Sequence, residues 1–169
     1  MNDYHFTFCS TDCMALASGA LFLPQHELLC VSDLHLGKSE RIARRSGTML
    51  PPYEVQETLQ KLNDDIARTS PNSVICLGDS FDDLDAAQSL SNDMRLWLTG
   101  MQAGRDWVWI EGNHDPGPID LGGTHRHEML VGALMFRQIA TDAAAEKSGH
   151  YHPKHRNAGR SKPAFLYEQ

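Results

Sequence analysis

Hydrophobic positions cluster along this chain into short continuous runs, and three of those runs share one form. Leu28 to Val31, Ser73 to Leu77 and Asp106 to Ile110 are each bounded by turn-forming or polar residues. Unbroken apolar runs of this length predict strands covered on both faces, as in the middle of a parallel sheet. Between the first two runs the pattern changes period. From Pro52 to Thr69, Val55, Leu59, Leu62 and Ile66 recur at helical spacing with charged or amide groups between them, which predicts an amphipathic helix. Pro51-Pro52 supplies its start and Ser70-Pro71 its stop. A second helix is expected within Asp85 to Thr99, where Leu90, Met94, Trp97 and Leu98 form a stripe and Gly100 offers an end.

The flanks read differently. Asp3 to Phe8 alternates loosely as a strand would, and Ala15 to Leu23 reads as another strand with a turn or bulge centred on Gly19. Pro24 to Glu27 makes a turn. After Asp115, Pro116-Gly117-Pro118 breaks the chain and Gly122-Gly123 turns it. Met129 to Val131, Ala133 to Phe136 and Ala164 to Tyr167 then follow as strands without helices between them. Strands alternating with helices favour parallel pairing through crossovers, so the first half predicts an α/β unit and the second a more antiparallel sheet packed on it.

Length and composition narrow the class. At 169 residues, residues 1–169 fit one domain with a substantial core. Hydrophobic residues make up 41% and charged ones 22%, ordinary soluble usage. There is no internal repeat, no low-complexity tract and no run long enough to span a bilayer. The start, Met1 to His5, lacks a basic region followed by an apolar stretch, so the expected location is cytoplasmic, with no membrane partner. Cys9, Cys13, Cys30 and Cys76 form no CxxC pair, which argues against a disulfide framework. A net charge of −7 argues against broad adhesion to nucleic acid. It does not exclude a nucleic-acid substrate, because bound divalent cations reverse the local potential.

Candidate chemistry follows the predicted strands. Asp33-Leu34-His35 comes after the first run, Gly78-Asp79 after the second, and Gly112-Asn113-His114-Asp115 after the third; Gly149-His150-Tyr151-His152-Pro153 lies near the end. Taken singly, each has a bland reading: a surface DxH pair, a strand-to-turn Gly-Asp, a solvated His-rich loop. Asp82 and Asp83 either orient ligands or cap the next helix. His125 and His127 are either solvated loop residues or a missing ligand. Together the four stretches supply carboxylates, imidazoles and an amide oxygen without thiolate, a set suited to Mn²⁺, Fe or Zn²⁺ in a catalytic rather than a Cys-rich structural site. Two cations bridged by a carboxylate suit phosphoester hydrolysis.

The order and type of these four motifs resemble the calcineurin-like metallophosphoesterases from Leu28 onward. The resemblance implies a two-sheet β-sandwich flanked by helices, shortened at its C-terminal edge. It also implies two divalent metal ions, Mn²⁺ foremost. Carried over by position, it puts Asp33, His35 and His152 on one ion, Asn113 and His150 on the other, and Asp79 between them. His114 would assist the leaving oxygen or the transition state, with Asp115 orienting it. Ser32 to Lys38, Leu50-Pro51-Pro52 and the short Gly149 to Pro153 loop further resemble the bacterial ligase-associated DNA damage response endonucleases. That subgroup implies a phosphodiester in DNA as substrate and a role in DNA repair. Lys38, Arg41, Arg44 and Arg45 would then hold phosphates, or else form a solvated helix face.

Two departures qualify the resemblance. The family pattern has a further ligand His shortly before the last motif, where this chain reads Phe136-Arg137-Gln138-Ile139. A Gln138 carbonyl is a poorer ligand, so the second ion is expected to bind weakly unless His125 or His127 substitutes. The chain also ends soon after Ala164 to Tyr167, and the resulting sheet edge is expected to be covered in a homodimer. The leading expectation is therefore a metal-dependent phosphoesterase, with a phosphodiester favoured. Its rivals are a catalytically impaired binding module for another protein, and a nucleotide or dinucleotide hydrolase using the same site.

Overall fold

A computed structural model describes residues 3–37, 53–81, 84–112, 120–139, 146–147, 154–157 and 160–163. The chain opens with β1 (Tyr4–Phe8), β2 (Thr11–Ala15), β3 (Leu21–Leu23) and β4 (Leu28–Ser32). Helix α1 (Tyr53–Thr69) leads to β5 (Ser73–Leu77). Helices α2 (Leu84–Ser89) and α3 (Asn92–Gln102) lead to β6 (Asp106–Ile110) and β7 (Thr124–Arg126). Then come β8 (Glu128–Val131), β9 (Leu134–Arg137), β10 (Glu146–Lys147), β11 (Lys154–Asn157) and β12 (Arg160–Pro163).

Strands β1 to β7 form one sheet in sequence order. Its first half is a meander of antiparallel pairs through β4. From β4 onward the pairs are parallel, with Ser32 opposite Leu77, Leu77 opposite Ile110 and Ile110 opposite Arg126. The C-terminal ends of four neighbouring strands therefore lie along one edge. In such sheets that edge is where ligands bind, because the loops leaving it are free to carry side chains while the strands hold them in register.

The alternation of side chains along β4, β5 and β6 explains why those strands read as unbroken apolar runs. Leu29, Val31, Val74, Cys76, Trp107 and Trp109 join a core with Val55, Leu59, Leu62 and Ile66 of α1 and Leu98 and Met101 of α3. Their neighbours Leu28, Cys30, Ile75, Leu77, Val108 and Ile110 join a second core with Leu134 and Phe136 of β9. Successive residues point to opposite faces, so burial on both sides demands an apolar residue at every position. Strand β9 belongs to a second sheet of order β10-β9-β8, antiparallel between β8 and β9 and parallel between β9 and β10. Helices, main sheet and second sheet thus lie in three layers, as expected for a metallophosphoesterase-like fold.

Helix α1 ends at Thr69 as expected, the expected start at Pro52 lies outside the described residues, and β5 and β6 occupy the expected residues. Ala15 to Leu23 contains the expected turn around Gly19: β2 ends at Ala15, the Leu16 N–H donates to the Ala20 carbonyl at 2.8 Å, and β3 begins at Leu21. Two expectations are corrected. The second helix is two, because Ser91 takes an extended conformation and its hydroxyl accepts from the Met94 N–H at 3.4 Å, capping α3. Gly100 does not end α3, which continues to Gln102. There Arg105 donates to the carbonyls of Met101 at 3.0 Å and Pro71 at 3.1 Å, tying the helix end to the approach to β5. Strand β7, with its exposed Thr124 and Arg126, joins the main sheet without an apolar pattern to announce it. The expected strand Ala164 to Tyr167 lies outside the described residues. Among the described residues no helix is long and apolar enough to cross a membrane.

Candidate metal centre

Past the ends of β4 and β5 the two chains leave the regular ladder but stay joined. The N–H of Asp33 donates to the Gly78 carbonyl at 3.4 Å, that of His35 to Asp79 at 3.0 Å, and that of Leu36 to Ser80 at 2.9 Å. A parallel bridge between Leu36 and Phe81 closes this extension, and Phe81 is fully buried against Trp109, with ring centroids 5.6 Å apart. The loops that emerge from the sheet are thus anchored on an aromatic core.

The backbone inside this extension is unusual. Asp33, His35 and Asp79 have φ of 54°, 45° and 46°, all in the left-handed region, and Gly78 beside them has φ of 67°. Non-glycine residues seldom adopt this conformation, and each one costs on the order of 1 kcal/mol. Strain of this kind persists only where surrounding structure imposes it, and it collects at functional sites. Here it turns successive side chains toward a common point: one ligand atom from each of Asp33, His35 and Asp79 lies within 4.8 Å of the others. Asp79 is buried, while Asp33 and His35 are half-buried.

Two carboxylates and an imidazole so close together form a donor set of hard and borderline character, and the geometry fits a divalent cation. The second sheet adds a further group. Gln138, directly after β9, is buried, and its side chain lies on Gly78, where an added Cβ would come within 2.5 Å of its Cγ and 2.8 Å of its Cδ. Gln138 therefore reaches the segment that carries Asp79.

The other histidines left open by the sequence separate. The His125 ring stacks on Trp109, with centroids 6.4 Å apart. His127 is exposed, and its Nδ1 lies 2.8 Å from Glu111 Oε2. Glu111, which the sequence reading passes over, follows β6, and its N–H donates to the Arg126 carbonyl at 2.9 Å. Only the long-range register of β6 against β7 brings this pair together. Gly112 is described and buried at the end of β6. Asn113, His114, Asp115, His150, His152, Lys38, Arg41, Arg44, Arg45, Asp82 and Asp83 lie outside the described residues.

A layered α/β sheet with a carboxylate and imidazole cluster at the C-terminal ends of adjacent parallel strands defines a metallohydrolase-like architecture. A family model, calcineurin-like phosphoesterase, matches residues 26–164, and the chain belongs to that family of metal-dependent phosphoester hydrolases. Among solved structures, the chain is similar to Pseudomonas putida nuclease MPE, with a TM-score of 0.75 and 22% identity over 96% of this chain and 80% of that one. That likeness shows a common fold. No curated protein matches the chain.

Proposed function

We propose that this chain hydrolyses phosphodiesters, with DNA the favoured substrate, using two divalent ions, Mn²⁺ foremost. The observation that carries the reading is the convergence of Asp33, His35 and Asp79, ligand atoms within 4.8 Å, inside the family match. When bound, the ions supply charge neutralisation and activation of water for attack on phosphorus. Asp33 and His35 would hold one ion together with His152, Asn113 and His150 the other, and Asp79 would lie between them. His114, oriented by Asp115, would deliver a proton to the leaving oxygen. Lys38 and Arg41 would hold substrate phosphates. The fold shared with a protein named as a nuclease supports the choice of a nucleic-acid diester over a monoester.

Gln138 bears on the strength of the activity. An amide oxygen there can ligate, but more weakly than an imidazole, so the second ion would be held loosely. The same residue favours the rival reading, a binding module that has lost its chemistry. The two are separated by metal content after purification without chelator, and by hydrolysis of an aryl phosphodiester and of single-stranded DNA with Mn²⁺. The proposal expects turnover that Asp79→Asn abolishes; no turnover with any divalent ion, or turnover unchanged by Asp79→Asn, would overturn it.

A further inference from the structure

The hydrogen bonds beyond the strand ends place four residues in one row across the sheet. Asp33 is bonded to Gly78, Gly78 to Ile110 and Glu111 to Arg126, so Asp33, Gly78, Glu111 and His127 succeed one another along the edge that carries the metal cluster. Neighbouring strands are about 4.8 Å apart, which sets His127 roughly 10 Å from Gly78. Glu111 holds the imidazole through Nδ1 at 2.8 Å, and 89% of the His127 side chain remains exposed. The ring is thus oriented with Nε2 outward, on the rim of the site.

A groove of about 590 Å³ runs beside β7, lined by Arg105, Asp106, Trp107, Gly123, Thr124 and Arg126 among others. Its volume lies within the range of ligand clefts. Arg105 is fixed by its bonds to the Pro71 and Met101 carbonyls, so its charge is held at the groove without being neutralised. Among the described residues neither Arg105 nor Arg126 takes part in an ion pair. The carboxylate of Asp106 opposes them, leaving one net positive charge there in a chain whose overall charge is −7. Gly123 lies where the groove meets the sheet: its φ is 78°, and a Cβ there would come 2.9 Å from the Trp107 carbonyl. Among the described residues β7 is the last strand of its sheet, and the groove follows that edge. Edges of this kind offer backbone donors to anions.

The geometry points to a binding track for single-stranded nucleic acid: the strand flanking the scissile phosphate crosses the rim at His127 and descends along β7, its phosphates on Arg126 and Arg105. The path from Gly78 to the foot of β6 is about 25 Å, the length of several stacked nucleotides. This rests on the phosphodiesterase reading of the metal centre, and it adds a preference for chain length that the centre alone does not supply.

The test compares a thymidylate dodecamer with the dinucleotide. Binding is read by fluorescence anisotropy in chelator, which requires no turnover, and hydrolysis by kcat and KM with Mn²⁺. The wild-type protein should bind the dodecamer at least about ten times more tightly than the dinucleotide. Arg126→Glu should remove most of that gain and reduce the slope of log affinity against log salt by about 0.7 for each phosphate the variant no longer holds. His127→Ala should raise KM for the dodecamer with kcat intact. Both variants should hydrolyse an aryl phosphodiester at the wild-type rate. Equal affinity for the two lengths, an unchanged salt slope in Arg126→Glu, or loss of aryl diester hydrolysis in parallel with dodecamer hydrolysis would overturn the track. A wild-type protein that binds the dodecamer in this salt-dependent way but turns over no diester would sink the phosphodiesterase reading and leave the track standing.

Discussion

Gln138 rests on the Cα of Gly78, so closely that a single methyl group added at position 78 would lie 2.5 Å from the glutamine Cγ. The second sheet thereby presses on the residue that precedes Asp79. Gly78→Ala meets two penalties, the left-handed φ of 67° and the overlap with Gln138. Stability should fall by about 2 kcal/mol or more. Shortening Gln138 in the same chain should restore the packing share of that loss but not the backbone share. Denaturant melts of the two single variants and the double variant measure this coupling, and strict additivity would show that the packing of Gln138 on Gly78 carries no energy.

Gln138→His should strengthen ion binding and raise the rate together, since imidazole is the better ligand for the ions this donor set suits. Metal content by elemental analysis and kcat on an aryl phosphodiester are the measurements. If neither changes, Gln138 acts on the Gly78 turn alone and has no part in holding an ion.

Asp33→Asn separates chemistry from folding. Asn tolerates the left-handed conformation as Asp does, and the change removes one of two carboxylates whose ligand atoms lie within 4.8 Å of each other. The metal-free variant should therefore be more stable than wild type, by on the order of 1 kcal/mol. Its gain in melting temperature on adding Mn²⁺ should shrink or vanish. Thermal melts with and without the ion test both halves; a larger Mn²⁺ shift in the variant would contradict the ligand assignment.

A second acid lies far from the centre. Asp65 is buried on the inner stripe of α1, and burial raises its pKa above the ordinary value of 3.8 despite a hydrogen bond from Ser18 and the nearby Arg68. The carboxylates of Asp3 and Asp64 push it in the same upward direction as burial. With the folded value above the unfolded one, the folded state keeps the proton longer. The group's stabilising contribution is complete below the unfolded pKa and is lost as pH rises through the folded one. Asp65→Asn should therefore be more stable than wild type at neutral pH, and the difference should close as pH falls toward 4, as followed by urea melts across that range. A constant difference at all pH values would assign the effect to packing.

The elements legible in the sequence are those whose burial is encoded locally. Ser73 to Leu77 and Asp106 to Ile110 are apolar at almost every position because both faces are covered, and α1 shows its stripe because one face is. The split between α2 and α3 is hidden although Ser91 carries a capping signal, since the apolar stripe runs on across it. Gly100 misleads because a glycine at an exposed helical position, with open space where a Cβ would be, costs only about 1 kcal/mol. Strand β7 has exposed Thr124 and Arg126 and owes its place to pairing with β6, a non-local fact. In the candidate site, the three residues that converge, Asp33, His35 and Asp79, are legible as candidate ligands. The left-handed conformations of Asp33, His35 and Asp79, the seat of Gln138 on Gly78 and the Glu111–His127 pair are not, because each is imposed by a partner distant in sequence.

Left-handed dihedrals at three positions also govern which sequences this fold can carry there. Valine, isoleucine or threonine at 33, 35 or 79 would clash with their own backbone before any reaction was at issue, whereas asparagine, aspartate, histidine and glycine are tolerated. The main chain at these sites thus admits a short list of residues that is already rich in electron-pair donors, so much of what selection would require for catalysis is enforced by the requirement to fold.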